Sequence, residues 1–145
     1  MSLSIATQYT KPVTQSFFLP EMFKQTLLLI RHTQNYFEGR GKEDSYYLER
    51  PLQDLYATEM SRVTMRLSCI MAWCLGQQAL VQGEIDEDEA RRHFRLEGSD
   101  ICLLHSDDAA AYLPPDMCAL MVESEQLYMR AWRLDQQLAS EETLH

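Results

Sequence analysis

The chain has 145 residues, the length of one domain and enough to bury a core without disulfides or metal. Hydrophobic residues make up 46%, too many for a disordered protein. Acids outnumber bases 22 to 13, and the formal charge of −9 disfavours unaided binding to nucleic acid or docking on an anionic membrane.

Residues 1–16 are polar, lack periodicity and read as a flexible arm. They carry no cationic start and no apolar core of a signal peptide, so a cytoplasmic location is expected. The longest apolar run, residues 69–75, falls far short of the roughly 20 residues of a membrane span. A first helix is expected from Pro20, since proline suits the first turn. Its buried stripe would be Phe23, Leu27, Ile30, Thr33 and Phe37. Gly39 and Gly41 would end it, with Arg40 and Lys42 at the negative end of its dipole.

The second helix dominates the chain. It begins between Ser45 and Pro51 and ends at Gly83, about 32 residues or roughly 48 Å from Pro51 onward. Three stripes run along it. Tyr56, Met60, Val63, Leu67, Ile70 and Cys74 alternate steps of four and three, a heptad seam suited to bundle packing. Ala57, Ser61, Thr64, Ser68, Ala72, Leu75 and Ala79 form a second stripe, small except for Leu75, which lets another helix approach closely and suits a dimer interface. Glu59, Arg62, Arg66, Cys69, Trp73, Gln77 and Leu80 form a mixed third stripe. Gly76 weakens the last two turns, at about 1 kcal/mol relative to alanine.

Asp86 with Glu89 resembles a capping box that opens a short helix fading near Phe94. Residues 95–113 form a long connection in which Ile101, Cys102, Leu103 and Leu104 anchor to the core, and a connection this long is functional or hides a short helix. A last helix starts at Pro114-Pro115-Asp116 and places Met117, Leu120, Met121, Leu127, Tyr128, Ala131, Leu134 and Leu138 on one face. The tail, residues 140–145, is polar and expected to fray. With five Gly, five Pro and no segment of period-2 alternation, the expectation is an all-α fold. Specifically it is a three-helix antiparallel bundle with a long central helix and a short extra helix, spanning 17–139 as one domain and dimerising through the second helix.

Chemistry-bearing patterns are few. There is no glycine-rich phosphate loop, no G-x-S-x-G, no H-E-x-x-H and no pair of Glu-x-x-His motifs. His105, Asp107 and Asp108 share one loop without a fourth ligand at fixed spacing and read as solvated acidic turn residues rather than a metal site. Glu89 and His93 read as a helix-surface pair, and His32 as a surface residue. The cysteines, Cys69, Cys74, Cys102 and Cys118, lie in apolar surroundings without a C-x-x-C pair and read as reduced thiols. No catalytic residue, metal or cofactor is expected.

Arg62 and Arg66 leave two alternatives. Either they pair with carboxylates of another helix such as Glu123 or Glu125, or they form a partner-binding patch with Glu59, Trp73 and Gln77, an Arg/aromatic composition enriched at interfaces. Trp73 and Trp132 read as core-edge residues. The pairs Phe17-Phe18 and Tyr46-Tyr47 either staple the bundle ends or form exposed docking points. In residues 83–94 the acids outweigh Arg91 and Arg92, so contact with DNA there, aided by Arg95, is only the alternative function of a transcription-associated regulator.

The run Glu59-Met60-Ser61-Arg62-Val63-Thr64-Met65-Arg66-Leu67, followed by Ala72-Trp73, Gln78-Ala79 and Gly83-Glu84, resembles the signature of an alphaproteobacterial family known as DUF1465. The likeness is strongest over residues 55–90 and extends more weakly to the first and last helices. It implies a dimeric three-helix bundle and a non-enzymatic adaptor for the ClpXP protease. Implied partners are ClpX, a response-regulator-type co-adaptor (CpdR-like), a cyclic-di-GMP effector (PopA-like) and client transcription factors such as CtrA. A cytoplasmic protein concentrated at a cell pole fits that role. The family adaptor carries a flexible C-terminal extension, whereas this sequence runs to His145 soon after its last helix, so either a minimal extension or different partner use is expected.

Overall fold

Three long helices and four short pieces make up the structure, a computed structural model that describes residues 13–143. In order they are α1 (Val13–Glu38), α2 (Arg40–Tyr46), α3 (Arg50–Val81), α4 (Glu87–His93), α5 (Ser99–Cys102), a 3-10 turn (Asp108–Tyr112) and α6 (Pro115–Thr143). Among the described residues there is no strand, and no helix is long and apolar enough to cross a membrane. The all-α bundle is therefore as expected. Helix α3 is its axis, with α1 and α6 lying along it and meeting each other much less.

The heptad seam of α3 is where its spacing puts it. Tyr56, Val63, Leu67, Ile70 and Cys74 are buried and Met60 packs beside them. They meet Met117, Leu120, Met121, Leu127, Tyr128 and Ala131 of α6, all buried, with Leu134 and Leu138 at the margin. Helix α4 opens as its capping box requires: Asp86 accepts a hydrogen bond from the Glu89 backbone N–H at 2.8 Å.

Four local expectations need correction. Pro20 lies inside α1, which already runs from Val13. As the eighth residue of the helix the proline lies past the first turn, and with no N–H to offer it leaves the i→i−4 bond at its position unmade. Residues 1–12 of the expected arm lie outside the described residues, as do 144–145 of the tail, while α6 continues to Thr143. The core stripe of α1 is displaced: Leu19, Met22, Thr26, Thr33 and Tyr36 are buried, while Phe23, Ile30 and Phe37 are half-buried on its flank. Two threonines fit the core because each hydroxyl donates to its own helix, Thr26 to Met22 O at 2.6 Å and Thr33 to Leu29 O at 2.7 Å.

The glycines do not end helical structure as a pair. Gly39 alone separates α1 from α2, and Arg40 and Lys42 belong to α2. This short helix is clipped to its neighbours by hydroxyls: Tyr36 donates to Asp44 Oδ2 at 2.8 Å and Tyr56 to Gly41 O at 3.2 Å. Burial and the Asp44 carboxylate both push the Tyr36 phenol well above its ordinary range. The 95–113 connection contains α5 and the 3-10 turn, the latter capped by Asp107, which accepts from the Ala109 N–H at 2.9 Å.

Gly76 does not fray α3, because the Phe94 ring covers it. A β-carbon at position 76 would sit 2.7 Å from Phe94 Cβ, an atom too close to the backbone to swing aside. Alanine normally gains about 1 kcal/mol over glycine inside a helix. Gly76→Ala is expected to lose stability instead, with a lower Tm by circular dichroism; an unchanged or higher Tm would show that Phe94 does not hold α4 against α3.

Candidate functional site

The two unassigned stripes of α3 have opposite fates. The mixed stripe, expected to offer Glu59, Arg62, Arg66, Trp73 and Gln77 to a partner, is internal. Glu59, Arg66, Trp73 and Gln77 are buried, and only 15% of the Arg62 side chain is exposed. The partner-binding assignment is corrected accordingly, because Arg66 and Trp73 hold other parts of the same chain and Arg62 pairs with Glu59 on its own helix. Arg66 Nε donates to Cys102 O at 2.9 Å, and its Nη1 to Met121 O at 3.3 Å and Ser124 Oγ at 3.2 Å. Arg62 Nη1 pairs with Glu59 Oε1 at 2.6 Å. Burial lowers the Arg66 pKa, opposed by the nearby carboxylates of Glu125 and then Glu59. Glu125 is thus among the acids near Arg66, as the structural alternative anticipated, although the direct hydrogen bonds go to carbonyls and a serine.

Farther along the same stripe, Trp73 Nε1 donates to Asp135 Oδ1 at 3.0 Å, and Arg95 Nε meets both Asp135 oxygens at 3.1 and 3.0 Å. Asp135 was missed from sequence. The available signal was its place four residues after buried Ala131 in an otherwise apolar stripe, where a carboxylate needs a partner.

The small stripe is free. Ala57, Ser61, Thr64, Ser68, Ala72 and Leu75 are exposed, and Ala79 is half-buried. It forms a low ridge between two grooves. One, of about 370 Å³, lies between α3 and α1 and is lined by Ile30, Thr33, Phe37 and Leu67, with Gln34 and Glu38, below Thr64 and Ser68. The other, of about 290 Å³, lies toward α4 and is lined by Cys69, Trp73 and Phe94, with His93, Arg95 and Glu97, below Ser68 and Ala72. The ridge residues carry no charge on a protein of −9, so like-charge repulsion is least along this line. Short side chains with apolar-floored grooves on either side suit the close approach of another helix.

Other sequence candidates stay dispersed. His105, Asp107 and Asp108 are exposed, Asp107 serving as a cap, and among the described residues no three His, Cys, Asp or Glu gather to hold a metal ion. Glu89, His93 and His32 are exposed. Arg91 pairs with Asp88 at 2.6 Å in its own helix and Arg95 with Asp135, so two of the three arginines of the DNA alternative are engaged by carboxylates. Tyr46 and Tyr47 are 77% and 83% exposed with rings edge-to-face, so they do not staple the bundle. Phe18 is exposed, while the Phe17 side chain lies outside the described residues. Trp73 is fully in the core rather than at its edge, and Trp132 is half-buried.

Truncating Arg66 removes three hydrogen bonds and leaves Glu59 as a buried carboxylate with less compensation. Arg66→Ala is expected to cost about 3–5 kcal/mol in urea unfolding. Ser61→Ala on the exposed ridge is expected to stay within about 0.5 kcal/mol. Equal effects at the two positions would contradict the assignment of one stripe to the core and the other to the surface.

Comparison with known proteins agrees with this architecture. The model of a family described as "Protein of unknown function (DUF1465)" matches residues 10–145. A search of curated protein sequences finds no match. Among solved structures the chain is similar to RcdA from Caulobacter crescentus CB15, at 30% identity and a TM-score of 0.65, covering 82% of this chain and 88% of that one. With the family model matched across nearly the whole chain and the bundle shared, this chain belongs to the DUF1465 family.

Proposed function

We propose that this protein is a non-enzymatic adaptor in regulated proteolysis, one that brings client proteins to the ClpXP protease through protein–protein contacts. The observation that carries this is the uncharged ridge of α3 between two grooves with apolar floors and charged residues along them, on a fold similar to that of RcdA. The polar groups of α3 that could have suggested chemistry are instead tied into the core. On this proposal the ridge, Ala57, Ser61, Thr64, Ser68, Ala72, Leu75 and Ala79, joins two copies of the chain. ClpX, a receiver-domain co-adaptor resembling CpdR, a cyclic-di-GMP effector resembling PopA and clients such as CtrA engage the remaining surface. That surface includes the exposed Tyr46-Tyr47 pair.

Two measurements test it. Ser68→Arg places a long charged side chain on the ridge without touching the core. It is expected to halve the mass measured by light scattering at micromolar protein while leaving the helical circular dichroism intact. An unchanged mass would remove the ridge as the dimer contact. For the adaptor role, purified protein is added to ClpXP with a client transcription factor and the receiver-domain co-adaptor, and client loss is followed over time. Faster loss is expected; unchanged loss, together with no binding to protease, co-adaptor or client, would refute it.

A further inference from the structure

Two cysteines far apart in sequence meet at one point of the fold. Cys69 lies on α3 and Cys102 ends α5, and their sulfurs flank the same glycine. The meeting point is Gly98. A β-carbon there would stand 3.3 Å from Cys69 Sγ and 3.4 Å from Cys102 Sγ, and its φ of +82° is a left-handed conformation that suits glycine. Cys74 is buried alone with its thiol pushed up to about 12, and Cys118 donates to Ala110 O and Leu113 O. Cys69 is half-buried and lines the α3–α4 groove, so in a single copy of the chain a small oxidant reaches it from solvent, whereas Cys102 is fully buried behind it.

We propose that Cys69 and Cys102 are an oxidative modification site, in which a hydroperoxide entering the α3–α4 groove joins them as an intramolecular disulfide. The Cys69 thiolate attacks the terminal peroxide oxygen. The O–O bond breaks, the departing alkoxide or hydroxide takes up a proton, and Cys69 becomes a sulfenic acid. The Cys102 sulfur then displaces the sulfenic hydroxyl as water, forming the S–S bond. In sum two thiols lose two electrons and two protons, and the hydroperoxide is reduced to an alcohol (or water) and one water. Sulfurs that flank one glycine need side-chain rotation and closure of the segment to reach the bonding distance of about 2.05 Å.

The bond would tie residues 95–104 to α3. That segment is otherwise held to the core by Arg66 Nε on Cys102 O at 2.9 Å and by the Tyr128 hydroxyl, which donates to Glu97 O at 2.6 Å. The groups facing the pair are Arg66 of α3, His93 of α4, Arg95 and Glu97 of the following connection, and Tyr128 of α6. Burial raises both thiols, Cys102 to about 11, so neutral solution holds little thiolate. Pairing is therefore slow at pH 7 and accelerates about tenfold per pH unit toward pH 9.

The test treats the full-length reduced protein with hydrogen peroxide, alkylates it in denaturant and maps the digest by mass spectrometry. A Cys69–Cys102 peptide pair is expected, reversed by dithiothreitol, with Cys74 and Cys118 alkylated. The oxidised protein should melt roughly 5–10 °C higher. Cys69→Ser, at a half-exposed position, should abolish the bond, and Cys74→Ala should not. Four alkylated thiols after oxidation, Cys69 carried on to sulfinic acid without pairing, a bond between two chains, or a rate flat from pH 7 to 9 would each overturn it.

Discussion

The fold turns on one guanidinium. Arg66 sits midway along α3 and reaches the last residue of α5 and two positions of α6 at once. Apolar packing alone would allow these segments to slide along α3, because burial has no direction. Hydrogen bonds from a planar, always-charged group do have direction. They fix the height of α6 on α3 and pin the connection that crosses between them. The Trp73–Asp135–Arg95 bonds repeat the arrangement nearer the end of α3, again linking α6 and the same connection to one face. What looks like a polar stripe on an amphipathic helix is a row of positional pins.

This explains how far the sequence is legible. The seam Tyr56-Met60-Val63-Leu67-Ile70-Cys74 could be read by period alone, because apolar residues on a long helix have one plausible destination. The Asp86 cap was legible because it depends on residues three apart. In α1 the stripe kept Thr33 but shifted onto Leu19, Met22, Thr26 and Tyr36, and the two threonine hydroxyls are satisfied within their own helix and so cost little to bury. The fate of the mixed stripe depends on Cys102, Met121, Ser124 and Asp135, and no local pattern announces that a carbonyl 36 residues away will accept from Arg66. The same holds for the meeting of Cys69 and Cys102. The exposed small stripe was legible as a surface for close approach, yet its flanking grooves depend on where α1 and α4 settle.

Burying the charged stripe and exposing the uncharged one reverses the usual layout of an amphipathic helix. Beyond its first turns it leaves the central helix of an acidic protein with a neutral outer face, while Arg62 and Arg66 stay inside, paired or bonded to carbonyls. For an interaction protein this separates two tasks. Internal polar groups fix the shape of the bundle, and the external ridge and grooves remain open to change without disturbing it.

The pins also bear on how the chain is made. Arg66 and Trp73 find their partners on α6 only when residues 121–135 have left the ribosome. Until then, α1, α2 and α3 must wait with the future interface to α6 uncovered. A wholly apolar interface would invite aggregation during that interval. Here part of it is a stripe of Glu59, Arg62, Arg66 and Gln77, which water solvates well while the helix is unpartnered. Arg66, which later locks α6 in place, thus works with its charged neighbours to keep the nascent bundle soluble before α6 exists.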